Sequence, residues 1–156
     1  MHQAIRVAIA ILALAATRTV AAQGSATGKW IFEFNRRVME ENGERTESEP
    51  ARVRLTLDVQ GDSVIGNWQL ISADGVPVTA PLRPVHGHAL NGKFRVETAP
   101  NESVMQDNSG EHIVKTTTVL EFTVSGDELS GTRAVLGADG SGAGEARPFK
   151  AVREKA

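Results

Sequence analysis

Hydrophobic and polar residues alternate with a period of two in segment after segment of this chain, the mark of strands with one buried face. Trp30, Phe32 and Phe34 alternate with Ile31, Glu33 and Asn35; Val53, Leu55, Leu57 and Val59 alternate with Arg52, Arg54, Thr56 and Asp58; Leu120, Phe122 and Val124 alternate with Val119, Glu121 and Thr123. No segment after Gln23 keeps a helical period. The pattern predicts eight strands, near residues 29–38, 52–60, 63–71, 80–87, 92–99, 113–125, 128–136 and 145–153. A glycine-bounded hexapeptide recurs as Gly61-Asp62-Ser63-Val64-Ile65-Gly66, Gly87-His88-Ala89-Leu90-Asn91-Gly92 and Gly126-Asp127-Glu128-Leu129-Ser130-Gly131. Gly61-Asp62 and Gly126-Asp127 suit two-residue hairpins, because glycine supplies the positive φ such turns require. In the middle copy either the opening glycine or Asn91-Gly92 marks the turn.

Connection lengths carry the next inference. The first, third, fifth and seventh connections (37–51, 72–79, 100–112 and 137–144) are long or loose, and the three between them are tight. In a meander each strand reverses direction, so the long connections gather at one end and the tight turns at the other. That is a cup. Closing the meander into a barrel removes exposed strand edges, and a sandwich would not require this regular alternation. The predicted fold is therefore all-β, an eight-stranded antiparallel up-and-down barrel. With eight strands the interior is either filled by side chains or just admits one small ligand.

The first residues set the expected compartment. Arg6 precedes an unbroken apolar run at 7–16, and Val20-Ala21-Ala22 supplies small residues for cleavage, the layout of a secretory signal. Cleavage is expected after Ala22 or its neighbouring alanine, leaving residues 23–156 as one secreted or periplasmic domain. Arg18 interrupts the run well short of the roughly 20 apolar residues needed to span a bilayer, so no membrane span is expected in the mature form. Of 17 lysines and arginines, two leave with the signal, so 15 face 19 acids, a net charge of −4. Nucleic acid is not the expected partner, because phosphate binding needs a basic surface. The chain has no cysteine. Disulfides, thiol catalysis and thiolate metal sites are thereby excluded, and sheet closure and packing must hold the fold together.

Gly28-Lys29-Trp30 opens the first strand, and Phe149-Lys150-Ala151-Val152-Arg153 closes the last. This resembles the calycin pattern of lipocalins, fatty-acid-binding proteins and avidins, and the spacing over most of the mature chain is similar to that of small secreted bacterial barrels of uncharacterised function. The resemblance implies that Arg153 packs over Trp30 and plugs the closed end, a structural role. Gly66-Asn67-Trp68 adds an avidin-like touch. However, the chain has no tyrosine and only two tryptophans, which removes the aromatic cage and tyrosine hydroxyl expected of a biotin site. A lipocalin would also carry a helix after the barrel, and here the chain stops at Ala156.

No catalytic constellation emerges, so an enzyme is not the favoured reading, and no cofactor is implied. Glu40, Glu41, Glu44, Glu47 and Glu49 crowd one connection, which reads as a solvated lid rather than a facing acid pair. No serine sits in a nucleophile elbow. Gly140-Ser141-Gly142-Ala143-Gly144 lacks the lysine and helix of a phosphate loop. His86 and His88, two apart on a strand, share a face as weak metal candidates, with His112 or a loop acid needed as a third ligand. Phe34, Trp68, Phe94 and Phe122 are candidate ligand contacts or ordinary core. Arg133 alternates with Leu129 and Val135 and so points inward, a costly placement unless paired. Two functions remain open: a cup for a small hydrophobic or amphipathic molecule, or a filled barrel that meets a protein or envelope partner through its connections, foremost 37–51.

Overall fold

The computed structural model describes residues 25–34, 38–41, 44–47, 50–78, 81–107, 109–137 and 145–156; the expected signal segment lies outside them. The strands are β1 (Gly28–Phe34), β2 (Val38–Glu41), β3 (Glu44–Glu47), β4 (Ala51–Gln60), β5 (Ser63–Ile71), β6 (Arg83–Leu90), β7 (Lys93–Thr98), β8 (Asn101–Asp107), β9 (Gly110–Ser125), β10 (Glu128–Gly137) and β11 (Arg147–Arg153). Strands β1, β4, β5, β6, β7, β9, β10 and β11 pair in that order, all antiparallel, and β11 returns to β1. The predicted eight-stranded up-and-down barrel is thus the observed one. Among the described residues no helix is long and apolar enough to cross a membrane.

Two connections expected as loops contain strands. β2 and β3 pair only with each other, as a separate two-stranded sheet. β8 pairs with the first part of β9, from Asn101↔Thr116 to Asp107↔Gly110, and forms an arm beyond the barrel. The cause is hydrogen-bond accounting: chain that leaves the barrel still needs partners for its N–H and C=O groups. The β7–β9 ladder stops at Glu97↔Val119 and the β8–β9 ladder starts at Asn101↔Thr116. Pro100, which has no N–H to offer, sits in the break.

The strand expected at 80–87 lies at Arg83–Leu90, because the turn is Asn91-Gly92, with φ of 51° and 76°. Positive φ at both central residues is the type I′ hairpin pattern. Gly87 therefore lies inside β6, as Gly66 and Gly131 lie inside β5 and β10. At Gly131 a Cβ would stand 1.8 Å from the Glu121 carbonyl oxygen. The strand curls against its neighbour there so tightly that no side chain fits, which is how a barrel wall bends.

The alternating apolar residues fill the lumen. Val53, Leu55, Leu57, Val64, Val96, Leu120 and Leu129 are fully buried, and burial of each stabilises by about 1.5–3 kcal/mol. Aromatic rings touch across the interior without a break. Phe94 stacks on Phe122 at 5.3 Å, Phe122 meets Phe149 at 6.2 Å, Phe149 meets Phe32 at 5.5 Å, and Phe32 meets Trp68 edge-on at 5.1 Å. Such pairs add about 0.5–1.5 kcal/mol each beyond their area.

Strand direction puts the two-residue turns at 61–62, 91–92 and 126–127 at one end, the base, together with the start of β1 and the end of β11. Trp30 is wholly buried there and its indole N–H donates to the Ala26 carbonyl at 2.8 Å. The Arg153 guanidinium lies 4.2 Å from the Trp30 ring centroid. It also donates to the Thr27 and Ser25 carbonyls, at 2.9 and 2.8 Å, and pairs with Asp127 at 3.0 Å. Gly28, at φ 140°, leaves the space: a Cβ would stand 2.5 Å from an Arg153 nitrogen. The glycine two residues before the tryptophan thus makes room for the arginine that covers it.

Candidate functional site

The opposite end, the rim, is built differently. Cross-strand register fixes which side chains face the lumen, because directly paired residues share a face. On β10, Gly131 pairs with Phe122 and Phe149, and Arg133 pairs with Leu120 and Arg147. Leu120 and Phe122 are core, so Arg133 faces inward at the rim. Its guanidinium carbon lies 4.6 Å from the centroid of the half-buried Phe34 ring. It makes no hydrogen bond or ion pair among the described residues. Burial first, and then the charge of Arg147, hold the Arg133 pKa below the ordinary guanidinium value.

Beside this pair the barrel wall is open. The β1–β11 ladder contains only Trp30↔Arg153 and Ile31↔Val152, both near the base. Continued in register it would join Phe32 to Ala151 and Phe34 to Phe149, but it stops short of them. A cleft of about 240 Å³ lies at this unzipped seam, lined by Phe32, Phe34, Phe149, Pro148, Glu33 and the two arginines. Its carboxylate is engaged elsewhere, since Glu33 pairs with Arg52 at 2.9 Å.

A second inward arginine escaped the sequence reasoning. Arg83 is opposite Trp68 in the β5–β6 ladder. It donates to the Thr98 hydroxyl at 2.8 Å and the Ala99 carbonyl at 2.7 Å, and the same hydroxyl accepts the Thr118 N–H at 3.0 Å. Burial lowers its pKa. The available signal was its alternation with Val85, the same cue that placed Arg133.

The other sequence candidates fall as follows. Phe34 and Trp68 are neighbours at 6.3 Å near the rim, while Phe94 and Phe122, direct partners in the β7–β9 ladder, form a stacked pair. Trp68, Phe94 and Phe122 are buried among other side chains, leaving Phe34 as the partly exposed ring of the four. His86 and His88 are exposed on the outer face of β6, opposite Glu97 and Arg95, and His112 lies on the β8–β9 arm. No group of three metal-binding side chains occurs among the described residues. Glu40, Glu41, Glu44 and Glu47 belong to the β2–β3 hairpin, in which Glu40 is opposite Arg45 and Glu41 opposite Glu44; Glu49 and the 140–144 glycine run lie outside the described residues.

No protein-family model and no curated protein matches the chain. Among solved structures it is similar to the monomer form of the M. tuberculosis PknI sensor domain, at 16% identity, with 82% of this chain and 86% of that chain covered and a TM-score of 0.47.

Proposed function

We propose that this chain is an exported calycin-type barrel that binds a small, partly apolar molecule at its rim, without catalysing a reaction. The observation that carries this reading is the seam cleft, where Phe32, Phe34 and Phe149 supply an apolar floor and Arg133 a half-buried polar anchor. The open lining of the cleft is more polar than apolar, so its polar groups orient the ligand and the ring edges meet its apolar part. Export rests on the first 22 residues, and N-terminal sequencing of the secreted protein is expected to begin at Gln23 or one residue earlier. Mass spectrometry of protein purified under native conditions tests the binding reading. A co-purifying small molecule, displaced when Phe34 is replaced by Asp, is the expected result. A barrel that carries nothing and binds no amphipathic probe rules it out.

A second reading is favoured by the continuous ring contacts that fill the lumen, together with two hairpins that project from the barrel. In it the protein is an interaction module for a protein or envelope partner. Replacing 38–47 by a short glycine-serine turn separates the two: it abolishes partner capture under the second reading and leaves small-molecule binding intact under the first.

A further inference from the structure

We infer that Arg133 and Arg147 form a two-guanidinium clamp for an anionic head group, a carboxylate or a phosphate, at the unzipped β1–β11 seam. The inference rests on the rim-binding reading and names the chemistry of its ligand.

The two arginines are direct cross-strand partners. Like charges placed opposite each other on a sheet are destabilising, and a half-buried charge carries a desolvation cost besides. Most other arginines of the barrel are matched by a carboxylate: Arg52 by Glu33, Arg54 by Glu154, Arg95 by Glu97 and Glu121, Arg153 by Asp127; the inward Arg83 instead donates to the Thr98 hydroxyl and the Ala99 carbonyl. For Arg133 and Arg147 no carboxylate answers among the described residues, and the one acid in their cleft is held by Arg52. A small anion between the two guanidinium groups would remove the repulsion and satisfy the N–H donors of both.

Geometry supports the same ligand. With its face on Phe34, the Arg133 guanidinium keeps its edge N–H groups for a planar or tetrahedral oxyanion, the bidentate recognition for which arginine is suited. The halted ladder gives access from the side of the barrel, so the lumen core need not open. About 240 Å³ is below the usual range for a drug-sized ligand. The cleft therefore fits a head group and a short apolar tail resting mainly on the half-buried Phe34, with only the edges of Phe32 and Phe149 in reach.

Calorimetric titration with octanoate, octyl phosphate, octan-1-ol and octylammonium tests the clamp. At least one of the two anions is expected to bind about tenfold or more tighter than octanol, as charged hydrogen bonds typically confer, and the tighter anion identifies the head group. R133Q and R147Q are each expected to lower anion affinity about tenfold while octanol binding stays within about twofold. Arg147 is exposed, so R147Q keeps the test decisive if R133Q fails to fold. Equal binding of octanol and the anions, unchanged in both variants, overturns the clamp and leaves the rim-binding reading standing. Failure of all four probes to bind the parent protein overturns that reading and the clamp with it.

Discussion

At the base of the barrel Arg153 lies over Trp30, bonds two carbonyls and pairs with Asp127; at the rim Arg133 lies over Phe34 and meets a second arginine. The two cation–ring contacts have nearly the same geometry and opposite surroundings. One covers a wholly buried indole and ties the chain's ends to the last tight turn. The other stands beside a wall whose ladder has stopped. The difference teaches that the cation–ring contact does not by itself define a role. What the remaining donors of the guanidinium meet decides whether it is a structural latch or a site awaiting a partner.

The largest expected effects fall at the base. Trp30→Ala should cost about 3–5 kcal/mol in denaturant unfolding, the range for truncating a buried aromatic. Phe34→Ala, half-buried at the rim, should cost less than half as much, and equal losses would erase the contrast between the two ends. Gly131→Ala should destabilise by about 2–3 kcal/mol, because the new Cβ meets a backbone carbonyl that cannot turn away. A neutral outcome would show that the wall can relax.

Exchanging the two arginines for methionine sharpens the comparison most directly. Arg153→Met should lose about 1–2 kcal/mol through its cation–π contact and charged hydrogen bonds. Arg133→Met should change stability by less than about 0.5 kcal/mol or raise it, since it removes a desolvated charge and a like-charge pair. A strong loss at Arg133 would mark it as a second latch.

A small, pH-dependent effect is expected near the C-terminus. Arg54 donates to both Glu154 oxygens, at 2.6 to 3.1 Å, and to the Gly75 carbonyl. These hydrogen bonds hold the Glu154 carboxyl below its ordinary pKa. Their contribution is therefore complete above the unfolded carboxyl's pKa of about 4.3 and is lost as the pH falls through the depressed folded value. Glu154→Gln should remove about 0.5–1 kcal/mol at neutral pH and nothing once the carboxyl is protonated. Thermal unfolding of both proteins between pH 3 and 7 checks this, and parallel pH curves would show that the pair contributes nothing.

Much of the barrel was legible along the chain. The period-two runs at 30–34, 53–59 and 120–124 mark inward faces, and the glycine-containing pairs mark reversals. Such features depend on neighbours within a few residues, so a local window contains them. The 101–112 part of the arm and the β2–β3 hairpin lie in stretches expected as connections, because their pairing is a response to where the barrel ladders end.

By itself the sequence determined strand faces, two of the three tight turns and the gathering of long connections at one end, all consequences of backbone geometry and of side chains alternating along a strand. Only the tertiary structure decided where the first and last strands part, that Arg133 confronts Arg147, and that Arg83 finds Thr98 and Ala99. The physical reason is closure. The register between β1 and β11 is the sum of every stagger around the barrel, a quantity that no stretch of the chain carries alone.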